Sequence, residues 1–244
     1  MTAAGLGISM TALQSSIGTV NDIVDAPRDR VAKPGKPIPA GLVSRDRAVA
    51  VAVVSGGAGL ALGWLSGPVV FLLGVVVLVI GFGYDMIFKG TAWSWLPFAV
   101  GIPLLPVYGW VGATGGLPRS FAVLIPVAVV AGAALAVANA RADEVRDRVA
   151  GTVSVATRLG GRWSWWAEAG LLAVVVGAAA VTLLAGRAGI VGLVAAVIAT
   201  GVIAVGLALG RADDPSRRER SWELEAVGVA LLGGAWLAGV PLAG

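Results

Sequence analysis

One pattern runs along the whole chain: apolar stretches of about twenty residues, separated by short polar or Gly/Pro-containing breaks. The runs lie near 1–20, 48–65, 68–84, 95–112, 120–138, 163–184, 189–210 and 222–242. A helix crossing a hydrocarbon layer about 30 Å thick needs about twenty such residues, because it rises about 1.5 Å per residue. A water-soluble domain of 244 residues has no interior large enough to hide a chain that is 57% hydrophobic and 13% charged. The predicted fold class is therefore all-α integral membrane, a multi-span helical bundle of about eight spans, forming one polytopic membrane domain over residues 1–244. Residues 1–20 lack a basic leading segment and run straight into a charged motif, so they are not read as a cleaved signal peptide.

The absence of Cys and His removes disulfides, thiolate nucleophiles, imidazole metal sites and Ser-His or Cys-His catalysis. Carboxylates, amides, hydroxyls and Lys/Arg remain. The net charge is +4, and its distribution matters more than its sum. Of the 18 Lys and Arg residues, 16 fall in the first, third, fifth and seventh connections, leaving Arg119 and Arg187 in the others. Basic residues concentrate in cytoplasmic loops, so a multi-pass cell-membrane protein with its odd connections in the cytoplasm is expected. The lipid bilayer is its surrounding partner, and no nucleic-acid partner is expected.

The first connection opens Asn21-Asp-Ile-Val-Asp-Ala-Pro-Arg-Asp-Arg-Val-Ala32, and the fifth opens Asn139-Ala-Arg-Ala-Asp-Glu-Val-Arg-Asp-Arg-Val-Ala150. The two stretches, 21–32 and 139–150, share seven identities in the pattern N-x3-D-x2-RDRVA. Repetition at matching helix ends points to two related halves facing one another, as in membrane proteins built from internal repeats. If each preceding span stays helical, Asn21, Asp25 and Asp29 share one side, Asp22 and Asp29 lie close to two turns apart, and Asn139, Asp143 and Asp147 repeat that geometry. Carboxylates gathered in this way repel unless cations sit between them. Hard oxygen ligands without His or Cys point to Mg²⁺, which is commonly held by one or two carboxylates plus substrate phosphates. The simplest bridging anion is a diphosphate. Lys33, Lys36 and Lys89 lie in the first and third connections, and an ammonium is a compact point charge suited to phosphate oxygens.

At these residues the chain resembles the UbiA superfamily of intramembrane prenyltransferases. The first family box, NDxxDxxxD, is matched by NDIVDAPRD at Asn21–Asp29, and the proline-rich run that follows by Lys33-Pro-Gly-Lys-Pro-Ile-Pro-Ala-Gly41. The second, DxxxD, is matched by Asp143 and Asp147. Its tail reads DRVAGTVSVATRLG to Gly160, with Val155 where the family has Leu and Thr152 where a Lys is common. A Tyr and a Lys between the boxes put Tyr84 and Lys89 in view. The resemblance implies a cavity with both boxes at its cytoplasmic mouth, so that the active site faces the cytoplasm. It implies Mg²⁺ as cofactor and a polyprenyl diphosphate as substrate, with transfer of the prenyl group to an aromatic or other small acceptor. It carries over Asp22, Asp25 and Asp29 as ligands of one Mg²⁺ and Asp143 and Asp147 as ligands of the other. Asp22, Asp25, Asp143 and Asp147 are then catalytic, and Asn21, Arg28, Lys33, Lys36, Tyr84, Lys89 and Asn139 bind diphosphate. In the family the first box ends the second of nine spans, whereas twenty residues precede Asn21 here. The first family helix is thus expected to be missing from this sequence.

Alternatives are a terpene cyclase on the same scaffold, a transporter and an inactive membrane scaffold. Trp93, Trp95, Trp163, Trp165, Trp166 and Trp222 read as interfacial anchors. Asp213, Asp214, Arg217, Arg218 and Arg220 read as a solvated loop, and Glu168, the ionisable residue deepest in an apolar run, as a functional candidate with Arg162 as its expected partner.

Overall fold

The structure is a computed structural model that describes residues 2–149 and 151–240. Ala150, which closes the second copy of the motif, and residues 241–242 of the last expected span lie outside the described residues. The described residues form helices only: α1 (Ala3–Ala32), α2 (Arg45–Trp64), α3 (Pro68–Gly83) running into a π-helical turn (Tyr84–Phe88), α4 (Trp95–Thr114), α5 (Phe121–Ala142), the short α6 (Glu144–Val149) and α7 (Val155–Leu159), α8 (Gly161–Ala185), α9 (Ile190–Leu209) and α10 (Pro215–Gly239). The eight long helices fall on the eight apolar runs. Six are long and apolar enough to cross a membrane: α2, α3 with its π turn, α4, α5, α8 and α9. The other two carry charged segments at the expense of hydropathy. α1 continues through the whole first box and Pro27, and α10 opens with Pro-Ser-Arg-Arg-Glu-Arg.

Two compact units make up the chain, one comprising residues 1–89 with 104–117 and the other 90–103 with 118–244. The first is centred on Leu6, Leu13, Val70, Val77, Leu78 and Tyr108. Here α2 buries Ala48, Ala52, Gly56, Gly59 and Gly63, a stripe at three- and four-residue spacing. Lipid gives helices no hydrophobic reason to associate, so small residues that let backbones approach are what hold such a pair. A Cβ on Gly59 would lie 2.8 Å from the Leu13 side chain. Polar groups are satisfied within the pair. Ser9 Oγ donates to Gly59 O at 2.7 Å and lies 2.6 Å from the Tyr108 hydroxyl, while Ser16 Oγ donates to Ala52 O at 2.8 Å.

In the second unit α8 buries Glu168, Leu172, Val175, Ala179 and Leu183, again one helical stripe. α9 and α10 meet through glycines: a Cβ on Gly228 would lie 2.6 Å from Ile203, and one on Gly206 2.7 Å from Glu225 Cγ. Gly132 of α5 touches the backbone of Phe98 and Ala99. The loop after the second box turns on Gly151 and Gly160, with φ of 67° and 77°, a left-handed conformation that glycine adopts without penalty. α7 between them begins with a reciprocal cap, Thr157 N–H to Ser154 Oγ and Ser154 N–H to Thr157 Oγ1. The outward faces are apolar, with Val53, Val79, Val181 and Val197 all well exposed. That is the inverse of a soluble protein's surface and suits contact with lipid. Trp93, Trp163 and Trp166 are exposed as anchors should be, whereas Trp165 donates its indole N–H to Leu207 O at 3.0 Å.

Candidate functional site

The first box works because α1 does not stop at the end of its apolar run. With Asn21 to Asp29 all helical, residues four apart share one side and residues seven apart another. Asn21 and Asp25 meet the π turn: Asn21 Nδ2 donates to Asp85 Oδ1 at 2.6 Å, and Lys89 Nζ donates to Asp25 Oδ2 at 2.5 Å. Asp22 and Asp29 meet the loop that follows, where Lys36 Nζ lies 2.8 Å from Asp22 Oδ1 and 2.8 Å from Asp29 Oδ2. Burial alone would lower the Lys36 pKa, but hydrogen bonds to Asp22 and Asp29 and the charges of both outweigh it, holding the ammonium above its ordinary 10.5. Arg28 and Lys33 are half-buried on the same segment.

The π turn sets where Lys89 goes. Its i→i+5 geometry carries the Lys89 N–H to Tyr84 O at 2.8 Å and places the ammonium 5.8 Å from the centre of the Tyr84 ring. Asp85, within this turn, is only 4% exposed, and its Oδ2 has no hydrogen-bond partner.

The second box departs from the expected geometry. α5 ends at Ala142, Asp143 is its cap with φ −93° and ψ −5°, and α6 starts afresh at Glu144. Asn139, Asp143 and Asp147 therefore do not lie on one uninterrupted helix. The backbone stays wound locally, with Asp143 N–H to Asn139 O at 3.2 Å and Asp147 N–H to Asp143 O at 2.9 Å. Arg146 pairs with Asp143. Burial would lower the Arg146 pKa, but the Asp143 hydrogen bond and charge, with the charges of Glu219 and Asp147, outweigh it and raise it above the ordinary arginine value. Asp147 is buried and Asn139 half-buried.

Two ion-pair systems in this unit correct the sequence reading. Glu144 is buried and takes Arg148 at 2.7 Å and Arg218 at 2.8 Å, and Arg218 also holds Asp213 at 2.7 Å and donates from Nε to Ala212 O at 3.0 Å. Arg218 is thus an internal strut, not part of a solvated loop. The partner of Glu168 is Arg141, at 2.6 Å, rather than Arg162. Both Arg141 and Arg218 were counted among cytoplasmic loop charges, yet both are buried.

No three carboxylates converge into a ready metal cage among the described residues. The repulsion expected of two acidic faces is relieved by the chain's own cations, Lys36, Lys89 and Arg146. The donor set still fits Mg²⁺: hard oxygens, one or two per position, with phosphate oxygens completing the shell. The unpartnered Oδ2 of Asp85 beside Asn21 is a further oxygen of this kind.

An all-helical membrane protein with acidic motifs at the ends of two long helices, each held by Lys or Arg, is the class of molecule these features define. The chain belongs to the UbiA prenyltransferase family, whose model matches residues 1–237. Its fold is similar to a UbiA homologue from Aeropyrum pernix K1, with TM-score 0.80 and 19% identity over 97% of this chain and 90% of that one. It is also similar to a UbiA homologue from Archaeoglobus fulgidus bound to GPP and Mg²⁺, with TM-score 0.71 and 18% identity over 96% and 87% of the two chains. Coumarin 8-geranyltransferase 1 of Citrus limon, a chloroplastic protein, is 29% identical over 106 residues, which is 43% of this chain. The chain spans about a quarter (26%) of the length of that curated relative.

Sequence reasoning brought Asp22, Asp25, Asp29, Lys36 and Lys89 into view and missed Asp85, although it sits beside Tyr84 at the end of an apolar run, where an acid is costly without a task. Glu144 was hidden by its neighbour Asp143, since adjacency in sequence says nothing of burial.

Proposed function

We propose that this chain is a Mg²⁺-dependent intramembrane prenyltransferase that ionises a polyprenyl diphosphate and transfers the prenyl group to an aromatic or other small acceptor. Asp22, Asp25 and Asp29 in one unit and Asp143 and Asp147 in the other are the metal ligands, and of these Asp22, Asp25, Asp143 and Asp147 are the catalytic carboxylates. Arg28, Lys33, Lys36, Lys89 and Tyr84, with Asn21 and Asn139, receive the diphosphate on the cytoplasmic side. Mg²⁺ held by these carboxylates supplies neutralising charge to the diphosphate as it leaves.

The observation that carries this reading is the pairing of Lys36 with Asp22 and Asp29, and of Lys89 with Asp25. The carboxylates suited to a divalent cation are paired with ammonium groups suited to phosphate. Were these aspartates to hold a metal, it would supply charge to the leaving diphosphate, and Lys36 and Lys89 would be free to meet its phosphate oxygens. The C–O bond to the allylic carbon then breaks with its electron pair leaving on the diphosphate. The acceptor bonds to the prenyl cation and gives up a proton, and diphosphate departs. A helical wall poor in water and free of Cys and His nucleophiles protects such a cation.

Purified protein given geranylgeranyl diphosphate and Mg²⁺ is expected to release diphosphate and to stop on chelation. Asp22→Ala and Asp147→Ala are each expected to lower the rate about a hundredfold or more. Full rates in both variants would remove the boxes from the chemistry. Product analysis with and without added aromatic acceptors distinguishes transfer from cyclisation.

A further inference from the structure

Arg141, Glu168 and Glu225 are 3%, 0% and 0% exposed, yet they carry two acids and one base. Arg141 Nη1 donates to Glu168 Oε2 at 2.6 Å and Nη2 to Gly210 O at 2.5 Å. Glu225 adjoins the Glu168 carboxyl and feels the Arg141 charge. Gly206 and Gly210 make the room: a Cβ on the first would lie 2.7 Å from Glu225 Cγ, and one on the second 3.2 Å from Arg141 Nη1. If both acids were ionised, one uncompensated negative charge would sit where no water reaches, and a group so placed neutralises instead.

Hydrogen counting gives the same answer independently. Ser221 Oγ lies 2.8 Å from Gly206 O and 3.0 Å from Glu225 Oε1. A hydroxyl has one proton, while a carbonyl and a carboxylate only accept. With Glu225 ionised, one of those two contacts has no hydrogen in it. Glu168 Oε1 and Glu225 Oε2 are also both buried without a partner. One added proton on Glu225 Oε1 repairs the Ser221 contacts by letting Ser221 donate to Gly206 O and accept from Glu225.

We propose that Glu225 is held as a neutral carboxylic acid, in a proton-binding site built by α5, α8, α9 and α10, so that Arg141, Glu168 and Glu225 form a charge-neutral lock on the helix end that carries Asn139 and Asp143. The groups facing Glu225 are Arg141 from α5, Glu168 from α8, Gly206 from α9 and Ser221 from α10. The site uses no diphosphate ligand, and it stands whether or not the proposed reaction does.

Infrared spectroscopy of the purified full chain at neutral pH tests it. The wild type is expected to show the carbonyl stretch of a buried protonated carboxyl group. That band is lost in Glu225→Gln, which keeps the neutral shape, and in Glu168→Gln, where Glu225 must ionise to serve Arg141. Thermal unfolding supplies a second reading: E225Q is expected to leave the midpoint within a degree or two of wild type, R141Q to lower it clearly, and R141Q/E168Q to recover most of that loss. A wild type without the band, a band that persists in E225Q, or an E225Q midpoint as low as that of R141Q overturns the proposal. Neither measurement involves prenyl diphosphate, so failure here and failure of the transferase reading are separate results.

Discussion

At the scale of single residues, the first box was legible in outline. Its aspartate spacing predicted a helical face, and α1 delivers that face because its backbone stays helical through Pro27. The partners were not legible. Nothing in the spacing says that Lys36 closes on Asp22 and Asp29, or that Asn21 holds Asp85, because both contacts depend on how the loops return. Lys36 is partly exposed, so its pairs contribute little to stability, about 0–1 kcal/mol. Its folded pKa is raised, so that contribution is complete below 10.5 and is lost as pH rises through the higher folded value. Lys36→Ala is accordingly expected to leave the thermal midpoint nearly unchanged while raising KM for the prenyl diphosphate, with Lys36→Arg recovering part of the loss. Steady-state kinetics beside a melting curve checks both halves. Asp85→Asn is expected to keep the Asn21 contact geometry but weaken Mg²⁺ activation, read as a higher Mg²⁺ concentration for half-maximal rate.

Among elements, the long helices were predictable from apolar runs of bilayer length, and the boundaries that mattered for chemistry were the ones that moved. α1 runs twelve residues past its apolar run because the box itself is helical, whereas α5 stops at Ala142 and hands Asp143 to a cap. Two sequences that match at seven of twelve positions thus end differently, and just past the break in the second, buried Glu144 is held by Arg148 and Arg218. The π turn after α3 sets the reach of Lys89. Deleting Ile87 would convert it to an ordinary α turn and rotate Lys89 by about 100°, and a marked loss of diphosphate affinity with the fold retained is the expected result. Gly132 faces the backbone of Phe98 and Ala99, so Gly132→Val is expected to destabilise the second unit by about 1–3 kcal/mol or more. Ser154→Ala, which removes the buried cap of α7, is expected to cost about 1 kcal/mol. Comparing thermal midpoints of the two variants in one detergent ranks them.

For the whole molecule, composition alone was enough to place the chain in a membrane, and two copies of one motif were enough to place it in a family. The buried struts Arg141–Glu168 and Arg218–Glu144 stayed invisible, because a charge count cannot tell a loop arginine from one folded inward. The remaining basic residues predict a sidedness that can be tested. The chain contains no cysteine, so single engineered cysteines report sidedness without background. Gly35→Cys and Asp213→Cys are expected to react from the cytoplasmic face, and Gly116→Cys and Gly189→Cys from the opposite one. Diphosphate release from geranylgeranyl diphosphate by the purified protein, followed as Mg²⁺ is added and then chelated, tests the transferase reading most directly. Release that requires Mg²⁺ and disappears in both Asp22→Ala and Asp147→Ala is the predicted result. Release that ignores Mg²⁺, or that proceeds at the wild-type rate in those variants, would contradict it.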